Sequence, residues 1–286
     1  MSSRARARAR SFTEYFATAA MMAHMVDVPR PLRGRVALVT GVSRRIAIGA
    51  AVARRLAADG AAVLLHSWSP HDAEQQWGAD VGGPESVVAA IEAAGGRAAH
   101  VAADLADPEA PARLVEAARA AFGHADVLVA SHARSSGQTL EQLTAVELDA
   151  SHAVNTRASL LLAQAIAAQH DGRPGGRILF FTSGQYHGAM PDELPYIASK
   201  GALAQVTRSV AVHLMPRGIT VNCVNPGPTD TGYADDATRA AVAAAHPGGR
   251  WGTPDDTARL VAWLASDEAA WVTGQVIAAD GGWSAR

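Results

Sequence analysis

Tyr196 and Lys200 stand four positions apart in the stretch Tyr196-Ile197-Ala198-Ser199-Lys200. On a helix that spacing puts both side chains on one face, one turn from each other. A free phenol titrates at about pH 10 and is a poor base at neutrality. An ammonium group one turn away favours the phenolate and lowers that pKa. The pair is therefore a candidate proton-transfer device. Lys200 is the only lysine in the chain, and every other cationic side chain is arginine. An isolated Y-x-x-x-K is also a common chance pattern, most often a solvated lysine on an amphipathic helix. The surrounding elements have to decide between the two.

The chain has 286 residues, 49% of them hydrophobic, enough for a sizeable core in one large domain or two small ones. A formal net charge of −2 gives no general attraction to nucleic acid or to an anionic membrane. No apolar run is long enough to span a bilayer, and no repeat of 20 to 50 residues is found. Cys223 is the sole cysteine, so no disulfide can form within the chain. That suits a reducing compartment, and a cytoplasmic location is expected.

The first residues differ from the rest. Arg4, Arg6, Arg8 and Arg10 alternate with small residues, and the first acid is Glu14. Residues 1–31 are expected to be a disordered extension. A targeting peptide is the alternative, since such segments are rich in Arg and Ser and poor in acids, but this one lacks the apolar core of a secretory signal. A start assigned too early, with Met21, Met22 or Met25 as the true one, is a third reading. Residues 32–286 are expected to form one folded domain.

From Arg35 the chain alternates short apolar runs with longer helical segments. Strands are expected at Arg35–Thr40, Ala62–His66, Arg97–Ala102, Asp126–Ala130, Arg177–Thr182, Ile219–Val224 and Gln275–Ala279. Helices are expected at Ile46–Asp59, Pro84–Ala94, Pro108–Phe122, Glu147–Gln169, Pro195–Met215 and Pro254–Ser266. Strands that are apolar throughout are buried on both faces, and strands alternating with helices form a parallel sheet. The expected fold is α/β, a doubly wound parallel sheet of about seven strands in a single domain. Such sheets bind ligands beyond the carboxyl ends of their strands, where the strand order reverses. Two insertions interrupt the alternation. Ser67–Gly83 reads as a long loop carrying Trp68 and Trp77; it has no ligand-like spacing, so no metal is expected. Asp230–Arg250 reads as a mobile lid or a surface helix pair.

The turn Thr40-Gly41-Val42-Ser43-Arg44-Arg45-Ile46-Ala47-Ile48-Gly49 joins the first strand to the first helix. Glycine there lets the backbone approach a phosphate, and the helix start offers unpaired N–H groups. The chain resembles the short-chain dehydrogenase/reductases over about Leu32 to Trp283. Thr40, Gly41 and Gly49 match the family's T-G-x-x-x-G-x-G motif, with two extra residues and with Arg45 and Ala47 where glycines are usual. Asp104-Leu105 resembles the pair beside the adenine. Ser131-His132-Ala133-Arg134 stands where N-N-A-G is usual, and only Ala133 matches. Asn155 matches the helix asparagine, and Ser183 lies thirteen residues before Tyr196. Pro226, Gly227, Thr229 and Thr231 fall in the P-G-x-x-x-T segment, and Thr273-Gly274 and Asp280-Gly281-Gly282 match the carboxyl end. Ile46-Ala47-Ile48-Gly49 is also similar to the enoyl-reductase branch. That branch usually places six residues between its Tyr and Lys; here there are three, which favours the carbonyl-reductase branch.

The resemblance implies hydride transfer with a nicotinamide cofactor. Tyr196 would give a proton to a carbonyl oxygen or take one from an alcohol. Lys200 would favour the phenolate and bond the ribose, and Ser183 would orient the substrate oxygen. Asn155 would hold a water, the plain alternative being a helix-interior amide bonded to backbone. NAD enzymes of this architecture usually end the second strand with an acid. Here the position is Ser67, and Arg44 and Arg45 lie beside it, next to Ser43 and Ile46. The cofactor expected is therefore NADP(H), with NAD(H) as the alternative. Gln185, His187, Met190 and Tyr233 would line the substrate pocket, although a lone loop histidine is more often simply exposed. The expected substrate is a ketone or secondary alcohol, as in 3-oxoacyl-acyl-carrier-protein reductases and the secondary-metabolite reductases related to them. A sugar or polyol dehydrogenase is the second reading, and a non-catalytic NADP-binding regulator is the reading from another class. A homotetramer or homodimer is also implied.

Overall fold

The computed structural model describes residues 30–186 and 188–285. The expected extension at 1–31 and the expected substrate contact His187 lie outside them, apart from Arg30 and Pro31. The compact unit begins at Pro31.

The strands form where apolar runs end at glycine- or polar-rich turns. In chain order they are β1 Val36–Thr40, β2 Ala62–Ser67, β3 Arg97–Ala102, β4 Val127–Ala130, β5 Gly176–Phe181, β6 Ile219–Asn225 and β7 Val276–Ala278. They pair in the order β3-β2-β1-β4-β5-β6-β7, every pair parallel. The order reverses between β1 and β4, and a cleft opens at their carboxyl ends.

Helices cover both faces, and the two-residue period of a strand divides the core between them. The helices are α1 Ile48–Ala58, α2 Ser69–Glu74, α3 Gly83–Ala93, α4 Ala110–Phe122, α5 Ala145–Ser151, α6 Ala158–Gln169, α7 Leu194–Leu214, α8 Asp236–Ala245 and α9 Pro254–Ala265. Ala37, Val39, Val63, Leu65 and Val129 face a layer built from α1, α3 and α9. Their neighbours Leu38, Leu64, Leu128 and Ile178 face α4, α6 and α7. Five strands are buried along their whole length. Edge strand β3, with Arg97 and His100, is only half-buried.

Three local features depart from the sequence reading. The stretch after β2 is not wholly loop: Pro70 in the first turn and Asp72 behind it start the short α2. The segment 230–250 holds one helix rather than a pair; Asp235 caps α8 by accepting from the Thr238 N–H at 2.7 Å. The long helix expected to end at Gln169 is interrupted by a π-helical turn, His152–Arg157, between α5 and α6.

The last strand is tied down by one buried amide. Asn222 Nδ2 donates to the Val272 carbonyl at 2.8 Å, and its Oδ1 accepts from the Gln275 N–H at 3.1 Å. Asn222→Ala strands both backbone groups, so it should lower stability by about 2 kcal/mol or more. A urea-unfolding midpoint equal to that of the unsubstituted chain would show that β7 does not depend on this amide.

Candidate active site

All the described site residues expected from the sequence fall at the carboxyl ends of the strands or on the helices behind them. Packing is tight at the reversal point. Gly41 has a φ of +77°, and a Cβ there would lie 2.8 Å from the His132 Cα. A Cβ on Gly49 would lie 2.5 Å from the Gly41 carbonyl oxygen. Only glycine fits either place. Behind them α1 starts at Ala47 with no side-chain cap, so its first N–H groups face the cleft without a side-chain partner. This cradle of backbone donors and missing Cβ atoms suits a diphosphate.

The β1–α1 loop separates its two arginines. Arg45 is held by Asp80, through Nη2 to Oδ1 at 2.6 Å, Nε to Oδ2 at 2.9 Å and its own N–H to Oδ2 at 2.8 Å. Asp80 is correspondingly more acidic than an ordinary carboxyl, chiefly through its hydrogen bonds to Arg45. The expectation that both arginines face a ribose phosphate is thus corrected: the Arg45 head is engaged by a carboxylate from the insertion after β2. Arg44 has no carboxylate partner among the described residues, and its guanidinium lies 5.7 Å above the Trp77 ring. Ser43 Oγ accepts from the Trp68 N–H at 3.2 Å. Ser67 is buried, with its hydroxyl 2.8 Å from His100 Nε2. Asp104 closes a turn by accepting from Ala106 N–H at 2.8 Å, and Leu105 beside it is buried. Ile46 is exposed and reaches the segment after β6, where a Cβ on Gly232 would meet its Cδ1 at 2.8 Å. Pro226, Gly227, Thr229 and Thr231 follow β6, and Thr229 Oγ1 donates to the Pro226 carbonyl at 3.0 Å.

Tyr196 and Lys200 lie on α7, as their spacing predicts. Lys200 is 2% exposed, and its ammonium donates to the His132 carbonyl at 3.1 Å. Burial lowers its pKa to about 8. Tyr196 behaves opposite to expectation. Burial pushes its phenol above the ordinary value, the nearby Glu193 adds to this, and the hydrogen bond with Ser183 opposes both. The expected stabilisation of the phenolate by Lys200 is not found, because that ammonium is directed at a backbone carbonyl. The phenol is therefore protonated at neutral pH.

Asn155 sits in the π turn. Its Oδ1 accepts from the Arg134 N–H at 2.7 Å, and its Nδ2 donates to the Arg134 carbonyl at 3.1 Å and to Ser199 Oγ at 2.8 Å. The plain reading, an amide bonded to backbone, describes these contacts. His132, in a motif position that matched poorly, is the residue underweighted by the sequence. Its Nε2 faces the Val154 carbonyl in the π turn at 2.9 Å, and its Nδ1 lies 2.6 Å from Thr40 Oγ1. The carbonyl requires a proton on Nε2, so Nδ1 accepts from the threonine. The ring joins the ends of β1 and β4 to the helix carrying Asn155, while its carbonyl holds Lys200.

Gln185 and Met190 line a groove of about 670 Å³ together with Leu143, Leu148, Leu194 and Ile197. Gln185 Nε2 donates to Thr182 Oγ1 at 2.9 Å, and its Oε1 is buried with no partner among the described residues. Tyr233 stands between Trp77 and Trp251. Glu193, Asp80 and Trp77 were not singled out as site residues by the sequence, because only the fold brings them here. No group of three metal-ligating side chains occurs among the described residues, and no helix there is long and apolar enough to cross a membrane.

His66 and His132 are buried with ring centroids 6.4 Å apart. Burial lowers His66 to a pKa of about 4 and holds His132 well below its ordinary value. An unfolded histidine titrates at about 6.5, so between these values the unfolded chain binds more protons. Stability should be complete above about pH 6.5 and fall as the pH drops towards 4. Thermal melts across this range test it, and a flat profile would contradict the neutral pair.

Comparison with known proteins points the same way. The family described as enoyl-(acyl carrier protein) reductase matches residues 41–284. An uncharacterized oxidoreductase of Bacillus subtilis is 40% identical over 250 residues, covering 87% of this chain and 96% of its own. The solved reductase LugOII, described as promiscuous and as catalysing a keto-reduction in lugdunomycin biosynthesis, is 38% identical with a TM-score of 0.79, covering 89% of this chain and 99% of its own. A short-chain dehydrogenase from Burkholderia cenocepacia, solved in complex with NADP, is also 38% identical with a TM-score of 0.79, covering 88% of this chain and 99% of its own.

Proposed function

The chain belongs to the short-chain dehydrogenase/reductase family and is an oxidoreductase of the carbonyl/CH–OH couple, and from that premise we propose an NADP(H)-dependent ketone reductase. The observation that carries this reading is the Tyr196 phenol, kept protonated and hydrogen-bonded to Ser183, next to Ile197 in an apolar groove. When bound, the nicotinamide supplies the hydride. Gly41, Ser43 and Gly49 would hold the diphosphate, and Arg44 the 2′-phosphate. Asp104 and Leu105 would border the adenine, Lys200 would bond the ribose, and Pro226, Gly227, Thr229 and Thr231 would close the other side. Arg45 and Ile46 shape the loop, and Ser67 replaces the acid that would repel a 2′-phosphate. The NADP complex of a relative 38% identical supports the same cofactor.

Tyr196 donates its proton to the ketone oxygen as the carbon takes hydride. The Ser183 hydroxyl donates to the same oxygen and holds it in place. Alcohol oxidation needs the phenolate, which burial and Glu193 both oppose in the ligand-free site. Asn155 fixes Ser199 and the Arg134 backbone behind this pair. Gln185, Met190 and Tyr233 would line the substrate side, the first two lying along an apolar groove; His187 is the further substrate contact that the family resemblance implies. The groove's aliphatic walls favour an apolar ketone or 3-oxoacyl thioester over a sugar or polyol. The three-residue Tyr–Lys interval favours carbonyl over enoyl reduction, and the presence of Ser183, Tyr196, Lys200 and Asn155 together argues against a non-catalytic regulator.

Residues 32–286 form the catalytic domain in this reading. We place it in the cytoplasm, in keeping with the single buried thiol of Cys223. A homodimer or homotetramer fits the exposed Val212 and Trp271 beside the end of α7 and the carboxyl-terminal segment.

The test follows NADPH oxidation against ketones, 3-oxoacyl thioesters and keto-sugars, with NADH in parallel. Tyr196→Phe should cut kcat by about a hundredfold or more while leaving the NADPH Kd nearly unchanged; an active variant would sink the proton-donor assignment. A higher kcat/KM with NADH would overturn the cofactor choice. Arg44→Ala should raise the NADPH KM by roughly ten- to a hundredfold, the range of a charge-assisted phosphate bond. Arg45→Ala, already committed to Asp80, should raise it far less. Equal effects would mean that both guanidinium groups reach the phosphate.

A further inference from the structure

The insertion after β2 reaches beyond the nucleotide end of the cleft. The Trp77 Nε1 donates to Asp72 Oδ1 at 3.0 Å, which anchors the indole to α2. Arg44 covers the ring at 5.7 Å. Trp77 also meets Tyr233 edge to face, with centroids 6.5 Å apart and planes at 76°. Tyr233 meets Trp251 in the same manner at 5.9 Å and 71°, and the Trp251 Nε1 donates to the Arg239 carbonyl at 2.9 Å. Both indole N–H groups are satisfied, so each ring is fixed at its polar end as well as by packing. Tyr233 between them is 48% exposed, so its position relies on these few ring contacts. Its phenol is pushed up to about 12, first by its partial burial and then by the nearby Tyr196. Tyr233 therefore stands close to the reacting phenol while leaning on a side chain from the opposite end of the cleft.

We propose that Trp77 is a positioning residue for the substrate, holding Tyr233 as the wall that faces the ketone. This rests on the reading of Tyr233 as substrate-facing and of Arg44 as nucleotide-facing. The same indole that supports the arginine at the 2′-phosphate end thus sets the shape of the substrate end. The insertion after β2 thereby becomes a determinant of which ketones fit.

The experiment uses the full chain and the ketone of the panel that the unsubstituted enzyme reduces fastest. Trp77→Ala should raise the KM for this ketone about tenfold with kcat changed by no more than about twofold. Trp77→Phe, which keeps a ring against Tyr233, should restore most of the loss. Tyr233→Leu should raise the KM similarly, and the double variant should be no worse than the poorer single one, because both remove one wall. The NADPH Kd, read by fluorescence titration, should shift by less than the ketone KM. Asp72→Ala frees the indole from its anchor without removing it, and should raise the ketone KM by about threefold. It carries the test if Trp77→Ala does not fold. An unchanged ketone KM in a folded Trp77→Ala, or in Asp72→Ala if that is the variant available, overturns the proposal. Multiplying effects in the double variant, or a change confined to the NADPH Kd, also overturn it. If the unsubstituted enzyme reduces no ketone, the carbonyl-reductase reading fails first and this role falls with it. If it reduces ketones and the KM values do not move, only the role of Trp77 fails.

Discussion

The site depends on how closely three pieces of backbone approach one another where the strand order reverses. The Gly41 turn lies against His132, and the start of α1 lies against Gly41, at distances that leave no room for a side chain at residues 41 and 49. This contact fixes the ends of β1 and β4 relative to α1. It also turns the first N–H groups of the helix towards the cleft. The proposed nucleotide cradle and the helix carrying Tyr196 and Lys200 are then registered through the same few atoms, because His132 touches both.

A buried polar chain extends from that contact. Thr40 gives a hydrogen bond to the His132 ring, the ring gives one to the Val154 carbonyl, and the His132 carbonyl receives the Lys200 ammonium. Each group is out of water, and an unpartnered member would be costly. The π turn takes part because Val154, in the middle of a helix, offers its carbonyl to a side chain. Helical irregularities of this kind often mark functional sites. The electrostatic result is a cation held at backbone and a phenol held neutral, which separates the two partners that their spacing had joined.

The sheet was legible in the sequence because its central strands are buried on both faces, and a strand such as RILFF has no other stable place. The helix with Tyr196 and Lys200 was legible for the same reason of periodicity. The glycine turn was readable in position but not in detail. Nothing in that lengthened turn gave a sign that Asp80, 35 positions from Arg45, would take its guanidinium. Trp77 was visible as an oddity in an insertion, and its contact with Tyr233 depends on two loops that no local pattern relates. The pKa of Tyr196 was misread because four-residue spacing fixes a shared helix face but not where a long lysine side chain ends. His132 was underweighted because it was compared with the asparagine usual there; what matters at that position is a ring with two separately directed nitrogens.

A chain with one lysine, and that lysine buried, has an unusual relationship to amine chemistry. Its surface cations are guanidinium groups, which acylating esters, reductive methylation and aldehyde fixatives attack poorly. Apart from the amino terminus, the nucleophilic amine of the molecule is buried on the helix proposed to carry the reaction, with a pKa lowered to about 8. Amine-directed reagents that label the surface of most proteins would here either leave the folded body untouched or mark the proposed active-site cleft. The extent of labelling becomes a count of how often that cleft opens.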